Sequence, residues 1–193
     1  MQESSLAHNT KLSAAKWRDS NCCAIYFLQK VQKCKIEHER HIGEKAEHKD
    51  HWDKEVGCVY IGNNVVITGH VTIDAGTHFT TAIQDECFIM KGVHVGHDAK
   101  VGFDVTISPH AILGGSVRVG SEANIGMGAI IHQWCKVGFG AMVGMGAIVT
   151  KKSKIHPYGK FVGNPARYLG RNRTGDHLSE KEYNEIIEQW GKE

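Results

Sequence analysis

Counting forward from Ile83 in steps of six, the chain places an aliphatic residue at every position reached: Ile89, Val95, Val101, Ile107, Leu113, Val119, Ile125, Ile131, Val137, Val143, Val149 and Ile155. Thirteen consecutive positions drawn only from Ile, Leu and Val make this a structural repeat. Two residues before each stands a small or short side chain, from Thr81, Cys87, Val93 and Ala99 through to Ala141, Ala147 and Ser153. One residue after, glycine recurs at Gly96, Gly102, Gly114, Gly120, Gly126, Gly138 and Gly144. A period of six matches neither a helix nor an independent amphipathic strand. It fits a coil of short strands separated by bends, with the aliphatic and small residues inside and glycine letting the backbone turn. Three hexads close a triangular coil, and successive coils stack as parallel strands about 4.8 Å apart. The expected fold is all-β, a parallel β-helix.

Ile61, Ile67 and Ile73 keep the spacing, but Ile73 to Ile83 is ten residues, so four extra residues near "AGTHFT" must bulge out. Upstream, "HERHIGEKAEHKDHWDKEVGCVYIG" interrupts the period with a charged insert that predicts a projecting loop over about 44–58. Its histidines (His38, His41, His48, His51) read as a solvated charge run rather than a metal site. Traces such as Leu6 to Leu12 and Ile36 to Ile42 extend the repeat irregularly, giving a β-helix domain over 1–160 and a tail over 161–193. In the tail, "LSEKEYNEIIEQW" has Ser179 and Glu182 spaced as a capping box and predicts a helix over 179–191. Tyr183, Ile186, Ile187 and Trp190 form one apolar stripe, suited to packing on the β-helix or a neighbouring subunit.

Composition removes several function classes. A formal net charge of +2 supplies no overall field for nucleic acid or an anionic membrane surface. The longest apolar run, "CCAIYFL", falls far short of the roughly 20 residues of a bilayer span, and no transmembrane segment is expected. The start, "MQESSLAHNTKLSAAKW", lacks the apolar core of a signal peptide. Six cysteines without CxxC or disulfide-scaffold spacing point to a reducing cytoplasm.

Chemistry concentrates in "GVHVGHDAKVG", where His94, His97 and Asp98 interrupt a run of valine and glycine. In 18-residue coils His97 stacks with Gly115 one coil on and Gln133 two coils on, while Asp98 stacks with Ser116 and Trp134. A titratable imidazole then stands about 5 Å from a bare glycine in the same column. Acyl transfer needs such a pair: the base takes a proton from the attacking group, and the N–H receives the developing oxyanion. An ordinary imidazole pKa near 6.5 suits a base at neutral pH. Asp98 can orient it.

The hexads resemble those of the hexapeptide-repeat acyltransferases, and the resemblance implies a left-handed parallel β-helix. "MKGVHVGHDAKVG", "AILGGSVRVG", "IIHQWCKVG" and "VGNPARYLGRN" are similar, in order from about Ile42 to Asn172, to the UDP-N-acetylglucosamine O-acyltransferases of lipid A (lipopolysaccharide) biosynthesis. That resemblance implies His97 as general base with Asp98 beside it, Gly115 as the oxyanion glycine, and substrate contacts from His94, His132, Gln133 and Asn172. It implies a homotrimer, a nucleotide-sugar acceptor, an acyl-carrier protein (ACP) or coenzyme A thioester as co-substrate, and neither a resident cofactor nor a metal. Met145 falls where long-chain members have glycine at the floor of the acyl groove, which implies a short acyl chain.

The departures concern recognition. Ser116 stands where the family usually has histidine, and Asp74, in "VTIDAGT", replaces another and joins the candidate substrate contacts. Residues 47–51 do not reproduce the family's acidic-plus-lysine sugar contacts, only Arg171 and Arg173 stand near the asparagine, and the C-terminal helical region is shorter. Three other readings compete. The first is an acetyl-CoA-dependent sugar N-acetyltransferase. A metal lyase of the γ-carbonic-anhydrase kind needs an HxxxxH pair and a third histidine, whereas His94 and His97 are three apart. An inactive β-helix scaffold has no use for an intact His97, Asp98 and Gly115.

Overall fold

In the computed structural model, which describes residues 34–36, 41–51 and 57–192, each hexad is a short strand followed by a corner. Leu6, Leu12, His38 and the middle of the charged insert lie outside the described residues. The strands build three parallel faces. The first runs from Lys35–Ile36 through Phe88–Ile89 and Thr106–Ile107 to Gly159–Val162, and the second from His41–Glu44 through Thr72–Asp74 and His94–Val95 to Ile148–Val149. The third runs from Val59–Ile61 through Lys100–Val101 and Arg118–Val119 to Lys136–Val137, closed by a bridge between Val137 and Ile155. Partners lie 18 positions apart, as Thr106 with Asn124 and His94 with Ile112, and 22 apart across the inserted loop, as Thr72 with His94.

The repeated aliphatic residues from Ile83 to Ile155 are all buried, as are the small residues two places before them from Thr81 to Ala147. Burying each Val, Leu or Ile contributes about 1.5–3 kcal/mol, repeated coil by coil. Cys87 fills one of the small positions, and burial pushes its thiol up to about 11. It is filler, not a nucleophile.

Glycine plays a different part from the one expected. The left-handed residue of a corner comes three places after the aliphatic one, at Asp98, Ser116 and Trp134 along one corner and at Gly92, His110, Gly128 and Gly146 along another. The glycines one place after the aliphatic residue instead lie against the next coil. A Cβ on Gly96 would come 2.8 Å from the Gly115 nitrogen, and one on Gly120 2.6 Å from the Phe139 nitrogen. Close backbone approach selects these glycines, and the turn itself is made by whatever residue follows.

At the far end, Arg167–Arg171 returns antiparallel to Gly159–Val162. The helix Glu180–Trp190 opens on the capping box of Ser179 and Glu182. Tyr183 is buried, with its hydroxyl 3.0 Å from that of Tyr168 and the Arg171 guanidinium 4.2 Å over its ring. The apolar stripe therefore packs on its own β-helix through Tyr183, leaving Ile186, Ile187 and Trp190 half-buried. Among the described residues, no helix is long and apolar enough to cross a membrane.

Candidate active site

His97 and Asp98 form the corner between the second and third faces. The Asp98 side chain is only 2% exposed. Its Oδ1 accepts the backbone N–H groups of Thr77 (2.9 Å), His78 (3.1 Å) and Phe79 (2.7 Å). Its Oδ2 accepts the Thr77 hydroxyl (2.6 Å) and faces His97 Nδ1 at 2.9 Å. Three residues of the inserted loop supply these donors, because the loop bulges one coil below Asp98 and wraps its backbone around the carboxylate. Burial alone would raise this carboxyl. The bonds from the Thr77 hydroxyl, from His97 and from the Phe79 and Thr77 amides outweigh burial and hold it well below the usual carboxylate range. An ionised Asp98 takes the Nδ1–H of His97 and so leaves the lone pair on Nε2.

That Nε2 lies over Gly115. A Cβ at position 115 would come within 2.6 Å of it, so the imidazole occupies the volume any side chain there would fill. The neighbouring N–H groups of Gly114 and Ser116 donate to the carbonyls of Ile131 and His97, while the Gly115 N–H donates to no acceptor among the described residues. A basic lone pair and an uncommitted N–H thus meet at one corner.

His94 lies alongside on the second face, with Nδ1 2.7 Å from the Thr72 hydroxyl and Nε2 3.8 Å from the Asp74 carboxylate. Burial pushes the Asp74 carboxyl up, against the pull of His94 and His97. Gln133 is exposed two coils from His97 in the same column, and His132 next to it turns Nδ1 onto the Gln133 carbonyl (2.9 Å). Asn172 is elsewhere: its amide donates to the Gly140 carbonyl (2.9 Å) at the corner between the third and first faces. Met145 is 70% exposed and stands with Met127 on the corner between the first and second faces. One chain therefore gathers His94, His97, Asp98, Gly115 and Asp74, carries His132 and Gln133 further along, and leaves Asn172 and Met145 on other edges.

No family model matches the chain. A UDP-3-O-acylglucosamine N-acyltransferase from Rickettsia akari is 43% identical over 61 residues, 32% of this chain and 18% of that protein. A UDP-N-acetylglucosamine O-acyltransferase from Moraxella catarrhalis superposes with a TM-score of 0.71 at 26% identity, over 81% of this chain and 62% of that one. The chain is related to the hexapeptide-repeat UDP-sugar acyltransferases. It spans 18% of the length of the curated relative and 62% of the solved one. A perosamine N-acetyltransferase from Caulobacter crescentus, solved with CoA and GDP-perosamine, shares the fold at a TM-score of 0.57 and 22% identity, over 72% of this chain and 58% of that one. Such superpositions need the same coil direction, in keeping with the left-handed β-helix that the resemblance implied.

Relative to the contacts expected of a hexapeptide-repeat acyltransferase, the site also contains residues that the sequence did not disclose. The His48 ring packs edge-on against His97 with centroids 5.4 Å apart, His51 against His48 at 4.9 Å, and His78 against His51 at 4.6 Å. His48 and His51 are half-buried, which corrects their reading as solvated charge. Thr77 and Thr81 were missed too; Thr81 accepts the Asp98 N–H at 2.8 Å. One signal was present, since the ten-residue gap from Ile73 to Ile83 falls one coil below Asp98. Among the described residues, no three His, Cys, Asp or Glu side chains are grouped to hold a metal ion.

Proposed function

We propose that this protein transfers an acyl group from a thioester to a hydroxyl or amine of a nucleotide-linked sugar. The observation that carries the reading is His97 Nε2, held by Asp98 and set over the Gly115 backbone. Nε2 takes the proton as the acceptor oxygen or nitrogen bonds to the thioester carbonyl carbon. The carbonyl oxygen becomes an oxyanion, which the Gly115 N–H receives. When the tetrahedral centre collapses, the C–S bond breaks and the imidazolium returns its proton to the departing thiolate. Asp98 stabilises the imidazolium in between.

The relatives support this substrate class, since two of them are named for acyl transfer to UDP-glucosamine derivatives, one to nitrogen and one to oxygen. Acyl-ACP or acyl-CoA serves as donor, which places the reaction in the cytoplasm. Met145 favours a second reading, acetyl-CoA-dependent N-acetylation of the sugar. The test is mass spectrometry on a matrix of UDP- and dTDP-sugars against acyl-CoA and acyl-ACP donors. A nucleotide sugar heavier by one acyl group is expected; no acylated product from any pair would sink the reading.

The reading also calls for a homotrimer. His97 lies on an open corner, and a neighbouring copy that turns its Met145 or Asn172 edge toward that corner supplies the second wall of a pocket. Light scattering at micromolar concentration should report three chains. A fully active monomer would overturn it.

A further inference from the structure

Two segments that leave the coils meet again over the catalytic corner. The charged insert departs where the Ala75 N–H donates to the Glu44 carbonyl (2.8 Å), and it returns where the Gly57 N–H donates to the Gly76 carbonyl (3.0 Å). Both anchors sit at the root of the loop that brings Thr77, His78 and Phe79 to Asp98. Ala46 is buried at the start of the insert, and a turn follows in which the His48 carbonyl accepts the His51 N–H (3.0 Å). The His48 ring is tied into that turn, because its Nδ1 accepts the Asp50 N–H (3.2 Å). From there His48 meets the His97 ring at an interplanar angle of 85°, and His51 meets the His78 ring at 84°. The centroid separations of 5.4, 4.9 and 4.6 Å along this row fall in the range of about 4.5–7 Å that edge-to-face rings favour. The contacts close a circuit. His97 holds Asp98, Asp98 holds the His78 amide, His78 packs on His51, His51 on His48, and His48 back on His97.

We propose that His48 is a positioning residue, which fixes the tilt of the His97 ring and so aims Nε2 at the proton it removes. The inference rests on the transferase reading and deepens it. Asp98 decides which nitrogen carries the proton, but a hydrogen bond at Nδ1 restrains the position of that atom more than the tilt of the ring. The coil on the other side of the imidazole supplies only Gly115, which has no side chain to stop a swing. The edge-on ring of His48 does stop it, since a tilt of His97 would drive one ring into the other. Proton transfer is sensitive to such errors: a displacement of about 1 Å can cost roughly 10²-fold in rate. A reacting group is held that closely only when its own rotamer is locked by packing around it. With Nδ1 committed to Asp50, His48 contributes the shape of its ring. The circuit also gives the spacing of the two insert histidines a use. His48 braces the base while His51 braces the loop that grips Asp98, so one clasp holds both members of the pair.

The test compares His48→Asn, which keeps an acceptor where Nδ1 stood but loses the ring, with His48→Phe, which keeps a ring but loses the bond to Asp50. Each is read by steady-state kinetics on a sugar and thioester pair that wild type turns over, by thermal melting, and by its crystal structure. In His48→Asn, kcat should fall roughly ten- to hundredfold while KM for both substrates and the melting temperature hold. The His97 ring should then occupy more than one orientation. His48→Phe should recover most of kcat and the single orientation. His51→Ala, which leaves the His48 side chain in place, should lower kcat less, again with KM level and the His97 ring loosened. Equal losses in His48→Phe and His48→Asn would mean that His48 touches substrate or moves a proton, and would overturn the inference. So would recovery by asparagine instead of phenylalanine, a loss expressed in KM alone, or His51→Ala with wild-type kcat and an ordered His97. If wild type turns over no sugar and thioester pair, the transferase reading fails on its own. The orientation of His97 in the variant structures then still decides whether the clasp exists.

Discussion

Replacing His97 with alanine is expected to lower kcat/KM by roughly 10²–10⁴-fold, the usual contribution of a general base. The fold should survive. Asp98 would lose one of its partners but keep the Thr77 hydroxyl and three backbone N–H groups, and the core residues of that coil, Val95 and Ala99, are untouched. Gly115→Ala approaches the same loss from the other side, because its methyl group would meet Nε2 at 2.6 Å and force the ring away. Near-normal kcat/KM in His97→Ala, with the melting temperature unchanged, would move the base to His94 or His132. Normal turnover in Gly115→Ala would show that Nε2 does not work from this position.

The pairing of His97 with Gly115 was legible because an 18-residue coil turns sequence spacing directly into stacking. The same register made the buried column from Ile83 to Ile155 readable, since one inward position per hexad is a one-dimensional signal. Corner conformation was not readable in that way. Asp98, Ser116, Trp134, His110 and Glu122 all adopt the left-handed conformation that glycine was expected to take. Their side chains range from carboxylate and hydroxyl to imidazole and indole, so the coil imposes the turn on them. The wrapping of residues 77–79 around Asp98 was hidden for a related reason. A surplus of four residues shows that the chain leaves the coil, but its direction depends on a carboxylate 19 to 21 positions later that gathers three amides. His48 and His51 were harder still, because the direction in which a charged insert folds back is decided by what it meets, here His97 and His78.

Met145→Gly is expected to move the acyl-chain optimum to longer donors, and wild type should prefer acetyl to about decanoyl groups over myristoyl. Met145 and Met127 stand exposed on the corner between the first and second faces. Bland packing between subunits is one use for such a pair. In a trimer, that corner can instead border the groove leading away from a neighbour's His97, where a methionine fills space that distal methylenes would enter. Each methylene refused burial forfeits about 0.8 kcal/mol, so the four that separate decanoyl from myristoyl amount to about 3 kcal/mol, on the order of a hundredfold or more in kcat/KM. Glycine at position 145 removes the obstruction at little cost to the core, since the methionine side chain reaches outward. Its neighbour Gly146 already takes the left-handed turn with open space around it, so the backbone need not rearrange. Competition between decanoyl and myristoyl donors at equal concentration reads the effect directly: the ratio should fall steeply in Met145→Gly while turnover of acetyl donors holds. A wild-type enzyme that already prefers the longest donors, with the ratio unmoved by the substitution, would show that the methionine column serves packing and does not measure the chain.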